Sequence, residues 1–389
     1  MTPSLTPPLA GLRVLDFSRV LSGPYASMTL ADLGADVVKV EDPKGGDDTR
    51  GFGPPFADGV STYFLSINRG KRSITLDLKR PEDLATARAL AERADVVLEN
   101  FRPGVMGRLG LDYSTLSKFN PRLIYCAISG FGQASDRPGY DLMVQGLSGI
   151  PSLTGDAHTP PYKCGASVAD LVSGLNAVQG VLAALYRRER TGVGALVDVA
   201  MLDGQLSLLT YHAGAYLNAG KVPGRIGNAH PSIHPFCAYA TSDGYVNLAI
   251  GNDRIWAAFC KAAARPELIE DPRFATNPAR VTHRAALDAL LGPLFAGRST
   301  SAWLELLERA AVPASRMATV PEALEEAELV THEHPSGGAP VRSVPLPVRI
   351  NDAPRAASRR APGLGEHQAE VLADWGLAEK RPAKATESA

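Results

Sequence analysis

The sequence predicts an α/β protein with a Rossmann-like large domain and a smaller α/β domain. Three observations carry this. Over the first 200 residues, short apolar runs alternate with segments of helical spacing, the rhythm of a mainly parallel sheet with helices on both faces. At 218–235 the composition shifts to glycine, proline and histidine (NAGKVPGRIGNAHPSIHP), which reads as a linker. Beyond it a new series of strand and helix signals begins. At 389 residues the chain has room for two domains. The expected division is 1–224, 225–325, a return to the large domain over 326–375, and a flexible, solvated tail at 376–389.

The elements follow in order. LRVLDF (12–17) reads as a buried strand, and Pro24 to Leu33 as a helix capped by Gly34. DVVKVE (36–41) is the next strand, and SITLDL (73–78) alternates with period two. Pro81 opens a helix to about Arg93, since proline suits a first helical turn. DVVLEN (95–100) and RLIYCAISG (122–130) are further strands. Asp170 to Arg190 carries Leu171, Val172, Leu175, Val178, Leu182 and Leu185, an apolar stripe at helical spacing. LVDVAM (196–201) is a short strand, followed by a helix through Leu217. In the smaller domain YVNLAI is a strand, with helices near 253–264, 283–296 and 300–310. Residues 335–350 read as irregular strand.

Composition narrows the function. Forty basic against forty-one acidic residues leave a net charge of -1, so a basic footprint for nucleic acid is absent and any anion site is local. Cys126, Cys164, Cys237 and Cys260 lie far apart with no CxxC pair, which argues against a disulfide scaffold and a zinc site. MTPSLTPPLA lacks the features of a signal peptide, and no run of about 18 apolar residues suggests a membrane span. A cytoplasmic enzyme is the expectation.

Familiar loops are missing. The first strand is followed by SRVLSGPYASM rather than GxGxxG, which argues against a nicotinamide cofactor; Walker A, GxSxG and HExxH motifs are also absent. HEH at 332–334 has poor spacing for a metal. Basic residues beside turns are more informative. Arg19 follows the first strand and Arg102 follows ENF, both at carboxyl ends of strands, where open α/β sheets bind ligands. Arg69, Lys71 and Arg72 cluster at a strand start, where sheet geometry alone places no ligand. Taken singly, each reads more readily as a solvated loop residue. Asp170, in ASVADLVSG, reads either as a helix N-cap or as a carboxylate nucleophile, because a helix N-terminus favours negative charge in both roles. Asp141, in GYDLMVQG, reads more readily as a cap.

Taken together and in order, LAGLRVLDFSRVLSGPYASMTLADLGADVVKVE, NRGKRSITLDLK, ADVVLENFRPGVMGRLGLDY, NPRLIYCAISGFG, GYDLMVQGLSG and ADLVSGLNAVQGVLAALYRRERTGVGALVDVAM resemble the class III coenzyme A transferases, over about residues 9–350. That superfamily includes formyl-CoA and carnitinyl-CoA transferases and the α-methylacyl-CoA racemases. The resemblance implies an interlocked-ring homodimer whose large domain binds CoA. It implies Asp170 as the nucleophile, forming an aspartyl-acyl anhydride and then an aspartyl-CoA thioester. It places Arg19, Lys71, Arg72, Asn100, Phe101, Arg102, Tyr140 and Asp141 against CoA or substrate. It implies acyl-CoA and carboxylic acid substrates and no metal or cofactor beyond CoA itself, the group carrier.

Three departures refine this. Formyl-CoA transferases have an arginine after the second strand, where this chain has Asp42. Racemases carry a histidine before the aspartate of the GHD-like segment; here that position is Tyr140, a poor base at neutral pH, which favours transfer over racemisation or epimerisation. The glycine run of formyl-CoA transferases is absent from GRIGNAHPSIHPFCAY, which favours larger acids, such as a succinyl-CoA donor, over oxalate. His230 and His234 in that segment read either as lining the acyl pocket or as loop residues without a role. A non-catalytic CoA-binding paralogue is the third reading.

Overall fold

The computed structural model describes residues 6–351 and 353–377. The expected tail at 376–389 therefore lies outside the described residues apart from Gly376 and Leu377. The chain forms two compact units. The first comprises residues up to Gly149, Cys164–Tyr211 and the chain from Glu328 onward; the second comprises Ile150–Lys163 and His212–Ala327. The second unit thus starts before the expected 225 and takes an earlier segment with it.

The first unit is built on six strands: β1 (Arg13–Asp16), β2 (Asp36–Glu41), β3 (Lys71–Thr75), β4 (Val96–Glu99), β5 (Ile124–Ser129) and β6 (Ala195–Ala200). Their order is β3-β2-β1-β4-β5-β6, and every pairing is parallel. This is the doubly wound order, with its reversal of direction between β1 and β4. The central strands carry apolar side chains on both faces because both faces are covered. Val14, Val37, Val96 and Ile124 join one core with Ala177 and Val181. Their chain neighbours Leu15, Val38, Val97 and Tyr125 join the other with Leu90 and Trp375, the period-two alternation of a pleated strand.

Five helices matter for the site: α1 (Ser22–Asp32), α2 (Thr62–Ile67), α3 (Pro81–Arg93), α4 (Asp141–Leu147) and α5 (Val168–Thr191). α1 ends before Gly34, whose φ of 102° only glycine adopts easily. α3 has Pro81 in its first turn and Glu82 and Asp83 behind it, which suits the helix dipole. α5 is long and apolar enough to cross a membrane, contrary to the expectation from the sequence, yet Ala169, Ala177 and Val181 on it are wholly buried in the core. The helix Gln368–Asp374 returns to the sheet, where Trp375 donates to Asp36 at 3.0 Å.

β3 begins at Lys71, two residues before the expected start, and this changes the reading of both basic residues there. Lys71 and Arg72 pair with Val37 and Val38 inside the sheet.

The second unit holds an antiparallel sheet of Phe236–Ala240, Tyr245–Ala249 and Ala314–Arg316. Its core stacks Tyr239 on Phe295 and packs Phe295 against Trp303. The helix Asp253–Ala262 is capped by Asn252, and Thr300–Arg309 by Ser299. The helix expected to follow β6 is broken in two, Met201–Ser207 and Thr210–Ala219, with Thr210 at a φ of 35° between them.

Candidate active site

The carboxyl ends of β1, β4 and β5 meet the first turns of α1, α4 and α5 around a cavity of about 230 Å³. It lies at the reversal of strand order, where open α/β sheets leave a crevice for ligands. Asp170 lines it, together with Arg19, Asn100, Phe101, Arg102, Tyr140 and Asp141. Seven of the nine expected site residues thus share one cavity.

Two loops are tied across the crevice. The Arg19 N–H donates to Asn100 Oδ1 at 2.8 Å, and Asn100 Nδ2 donates back to the Arg19 carbonyl at 2.7 Å. The Arg19 guanidinium lies over the Phe101 ring at 5.4 Å. Val20 follows at a φ of 67°, a strained conformation for a β-branched residue. Its N–H is held by Asp47 Oδ1 at 3.2 Å. Burial raises the pKa of Asp47, but Lys39 at 2.8 Å overrides this and holds it at about 2. A permanent buried anion therefore pins the loop leading into α1.

Asp170 is the third residue of α5 and does not cap it. The capping falls to Asp141, whose Oδ1 accepts the Ala169 N–H at 3.0 Å while Oδ2 accepts from Gln145 at 2.8 Å. Gln145 is itself buried and accepts the Cys164 N–H at 2.8 Å. With both oxygens accepting, the Asp141 carboxylate is held in place beside Asp170. Burial, and secondarily this neighbouring charge, push the Asp170 carboxyl up to about 7, against a hydrogen bond from Ser22 that pulls it down. A carboxylate so placed is more basic than usual and still substantially ionised at neutrality, as a nucleophile requires.

Lys71 and Arg72 are the corrections. Lys71 is wholly buried; its ammonium meets the Pro24 carbonyl at 2.9 Å, Asn68 Oδ1 at 2.8 Å and Asp16 at 3.4 Å. Two lysines and hydrogen bonds from Ser18 and Ser27 hold Asp16 ionised despite burial. Arg72 is consumed by Asp36, Asp374 and Glu370. Both residues brace the sheet and neither lines the cavity. His234 is corrected too: it is wholly buried in the second unit, with Arg284 3.0 Å from Nδ1 and Asp288 3.2 Å from Nε2. A guanidinium donating to Nδ1 leaves the proton on Nε2, directed at Asp288. The neighbouring Cys237 completes a His–Cys–Asp group whose ligand atoms all lie within 4.8 Å of one another. His230 packs edge-on against Phe236. His332 and His334 each face a backbone carbonyl, Ala357 at 2.8 Å and Ala57 at 3.1 Å.

The sequence reading missed several residues. Ser22 and Arg137 line the cavity, with Arg137 stacked 3.9 Å over Phe131. Tyr63 on α2 is pushed up to about 12, by burial first and then by the charges of Asp170, Asp47 and Asp141. Its ring meets Phe52 edge-on at 5.5 Å. A second cavity, of about 250 Å³, shares Arg19 and Phe101 with the first and adds Lys79 and Arg108, with Asp42 and Asp77 on its wall. Position beyond the ends of β2 and β3 was the available signal for Lys79. A larger cavity, of about 630 Å³, lies elsewhere along α1, Arg69 and residues 339–347, away from Asp170.

A carboxylate at a helix start thus lies in a crevice rimmed by Arg19, Arg102 and Arg137, beside a second cavity that shares Arg19 and Phe101 and adds Lys79 and Arg108. Known proteins resemble this chain over nearly its whole length. The model of CoA-transferase family III matches residues 9–368. A succinate–glutarate CoA-transferase of Agrobacterium fabrum is 42% identical over 386 residues, 96% of this chain and 96% of that one. An acetyl-CoA:oxalate CoA-transferase of Acetobacter aceti is 40% identical over 380 residues, 96% and 97% of the two chains. A crystal structure of a CAIB/BAIF family protein from Brucella suis superposes with a TM-score of 0.84 at 42% identity, covering 95% of this chain and 100% of that one. The chain belongs to CoA-transferase family III and is a CoA-transferase.

Proposed function

We propose that the protein moves CoA from an acyl-CoA to an acceptor carboxylic acid by covalent catalysis at Asp170. One Asp170 oxygen attacks the donor thioester carbonyl; the C–S bond breaks, CoA leaves as the thiolate, and an aspartyl-acyl anhydride forms. The thiolate then attacks the Asp170 carbonyl carbon, expelling the donor acid and leaving an aspartyl-CoA thioester. The acceptor carboxylate attacks this thioester, and the same steps in reverse deliver the new acyl-CoA. As written, the sequence draws on no group besides CoA. The observation that carries the reading is the Asp170 carboxyl, raised to about 7 within the arginine-rimmed crevice.

For the carrier, the geometry supports Arg19, Asn100, Phe101 and Arg102 with Lys79 and Arg108 in place of Lys71 and Arg72, because each of the former lines one of two cavities that share Arg19 and Phe101, and Lys71 and Arg72 line neither. A dicarboxylate donor such as succinyl-CoA is the substrate reading, supported by the Agrobacterium relative and by Arg137 as a cation in the crevice. The oxalate enzyme is nearly as similar, so overall identity does not repeat the preference read from the missing glycine run. A homodimer is supported by apolar surface left uncovered. On α5, Leu175, Leu182 and Tyr186 are 48%, 36% and 68% exposed on one face, and Thr210–Ala219 has no buried residue. The free thiols of Cys126, Cys237 and Cys260 fit a reducing, cytoplasmic setting.

The test is intact-protein mass spectrometry after incubation with a panel of acyl-CoAs, followed by hydroxylamine or borohydride trapping. The expected result is a label on the peptide carrying Asp170, formed with succinyl-CoA and lost in Asp170→Ala. Transfer activity preserved in Asp170→Ala overturns the mechanism.

A further inference from the structure

Ser22 opens α1 and is only 3% exposed, yet it lines the crevice beside Asp170. Asn100 Nδ2 reaches the Ser22 hydroxyl at 3.2 Å. The orientation of this amide is fixed by the backbone: its oxygen accepts the Arg19 N–H and its nitrogen donates to the Arg19 carbonyl, so a flipped amide would set donor against donor and acceptor against acceptor. Asn100 therefore presents a donor to Ser22. A serine hydroxyl has one hydrogen. With a lone pair taken by Asn100, that hydrogen is left for an acceptor on the crevice wall, and Asp170 lines the same wall.

We propose that Ser22 is a positioning residue for Asp170: its hydroxyl, oriented by Asn100, grips one carboxylate oxygen and leaves the other free to attack. The inference rests on Asp170 being the nucleophile. The same contact serves the second chemical step. When CoA thiolate attacks the Asp170 carbonyl carbon of the anhydride, a C–S bond forms and the C–O bond to the donor acid breaks, with no proton transferred. In the tetrahedral state between them, negative charge gathers on the carbonyl oxygen that Ser22 already holds.

The groups facing Asp170 are Asp141 from α4 and Tyr63 from α2, with Arg19, Asp48, Arg102, Arg137 and Tyr140 on the crevice wall. Asp141 and burial favour the protonated carboxyl; Ser22 favours the charged one. Removing the hydroxyl therefore moves the ionisation to higher pH.

The experiment compares Ser22→Ala, Ser22→Thr and Asp170→Ala with the parent enzyme, using succinyl-CoA and glutarate, with circular dichroism and thermal melting as controls for folding. For folded Ser22→Ala, kcat falls on the order of tenfold or more, KM for acyl-CoA changes little, and the acid limb of kcat/KM moves up by about one pH unit. Ser22→Thr retains the hydroxyl and recovers most of both. If Ser22→Ala keeps the parental kcat and acid limb while Asp170→Ala is dead, the Ser22 role is wrong and the nucleophile stands. If Asp170→Ala is active, the parent reading has failed. If Ser22→Ala loses activity with an unmoved acid limb and Ser22→Thr does not recover it, Ser22 is a packing residue only.

Discussion

At Asp170, one proton answers to three neighbours. Burial contributes most to raising the carboxyl from 3.8 to about 7, Asp141 adds to it, and Ser22 opposes it. With Asp170 as the proposed nucleophile, rate requires the ionised form, so activity is expected to rise with pH through this value. Asp141→Asn removes the neighbouring negative charge but not the burial. The expected pKa then lies below about 7 and still above the ordinary carboxylate range, so the acid limb of kcat/KM moves to lower pH. A pH profile measures this; an unmoved or raised limb would show that Asp141 acts on Asp170 only by capping α5 through Ala169. Asp170 and Asp141 were both legible in the sequence as acids beside helix starts. Their division of labour was not, because it depends on which N–H each oxygen meets, and that is a matter of tertiary distance.

At the scale of elements, the crevice depends on two chain segments touching through glycine. A Cβ on Gly139 would lie 2.3 Å from the Gly130 Cα, and one on Gly130 would lie 2.6 Å from the Gly139 Cα. These contacts are backbone against backbone, so no side-chain movement relieves them. Gly130 follows β5 and Gly139 precedes Tyr140 and Asp141, so their contact seats the start of α4 beside the strand ends. Gly139→Ala is expected to displace Asp141 and lower kcat/KM by roughly a hundredfold, in keeping with the cost of ångström-scale misplacement. Steady-state kinetics on the folded variant tests this, and near-parental activity refutes it. The strands themselves were readable because their apolar runs are short and bounded. The start of β3 was not: Lys71 and Arg72 look like loop residues, and only the pairing of Lys71 with Val37, the buried Asp16 and the partly exposed Asp36 explain two cations inside a sheet.

At the scale of the whole molecule, α5 exposes an apolar face of Leu175, Leu182 and Tyr186, and Thr210–Ala219 has no fully buried residue, apolar surface of the kind a second copy of the chain covers. Light scattering after size exclusion is expected to give twice the chain mass at micromolar concentration. Leu182→Glu should shift the population toward monomer or aggregate. A fully active wild-type monomer would contradict the interlocked arrangement.

The sequence by itself determined the parallel α/β architecture and the family, because period-two strands, helical stripes and an ordered set of motifs are local patterns. It also singled out Asp170, Asp141, Arg19, Asn100, Phe101, Arg102 and Tyr140. The tertiary structure decided which of the cations face the crevice, which carboxylate is the cap, and that Ser22 stands against Asp170. The reason is physical: charge, burial and hydrogen-bond direction are set by neighbours distant in sequence, and Ser22 and Asp170 come to line one crevice only when α5 packs against α1.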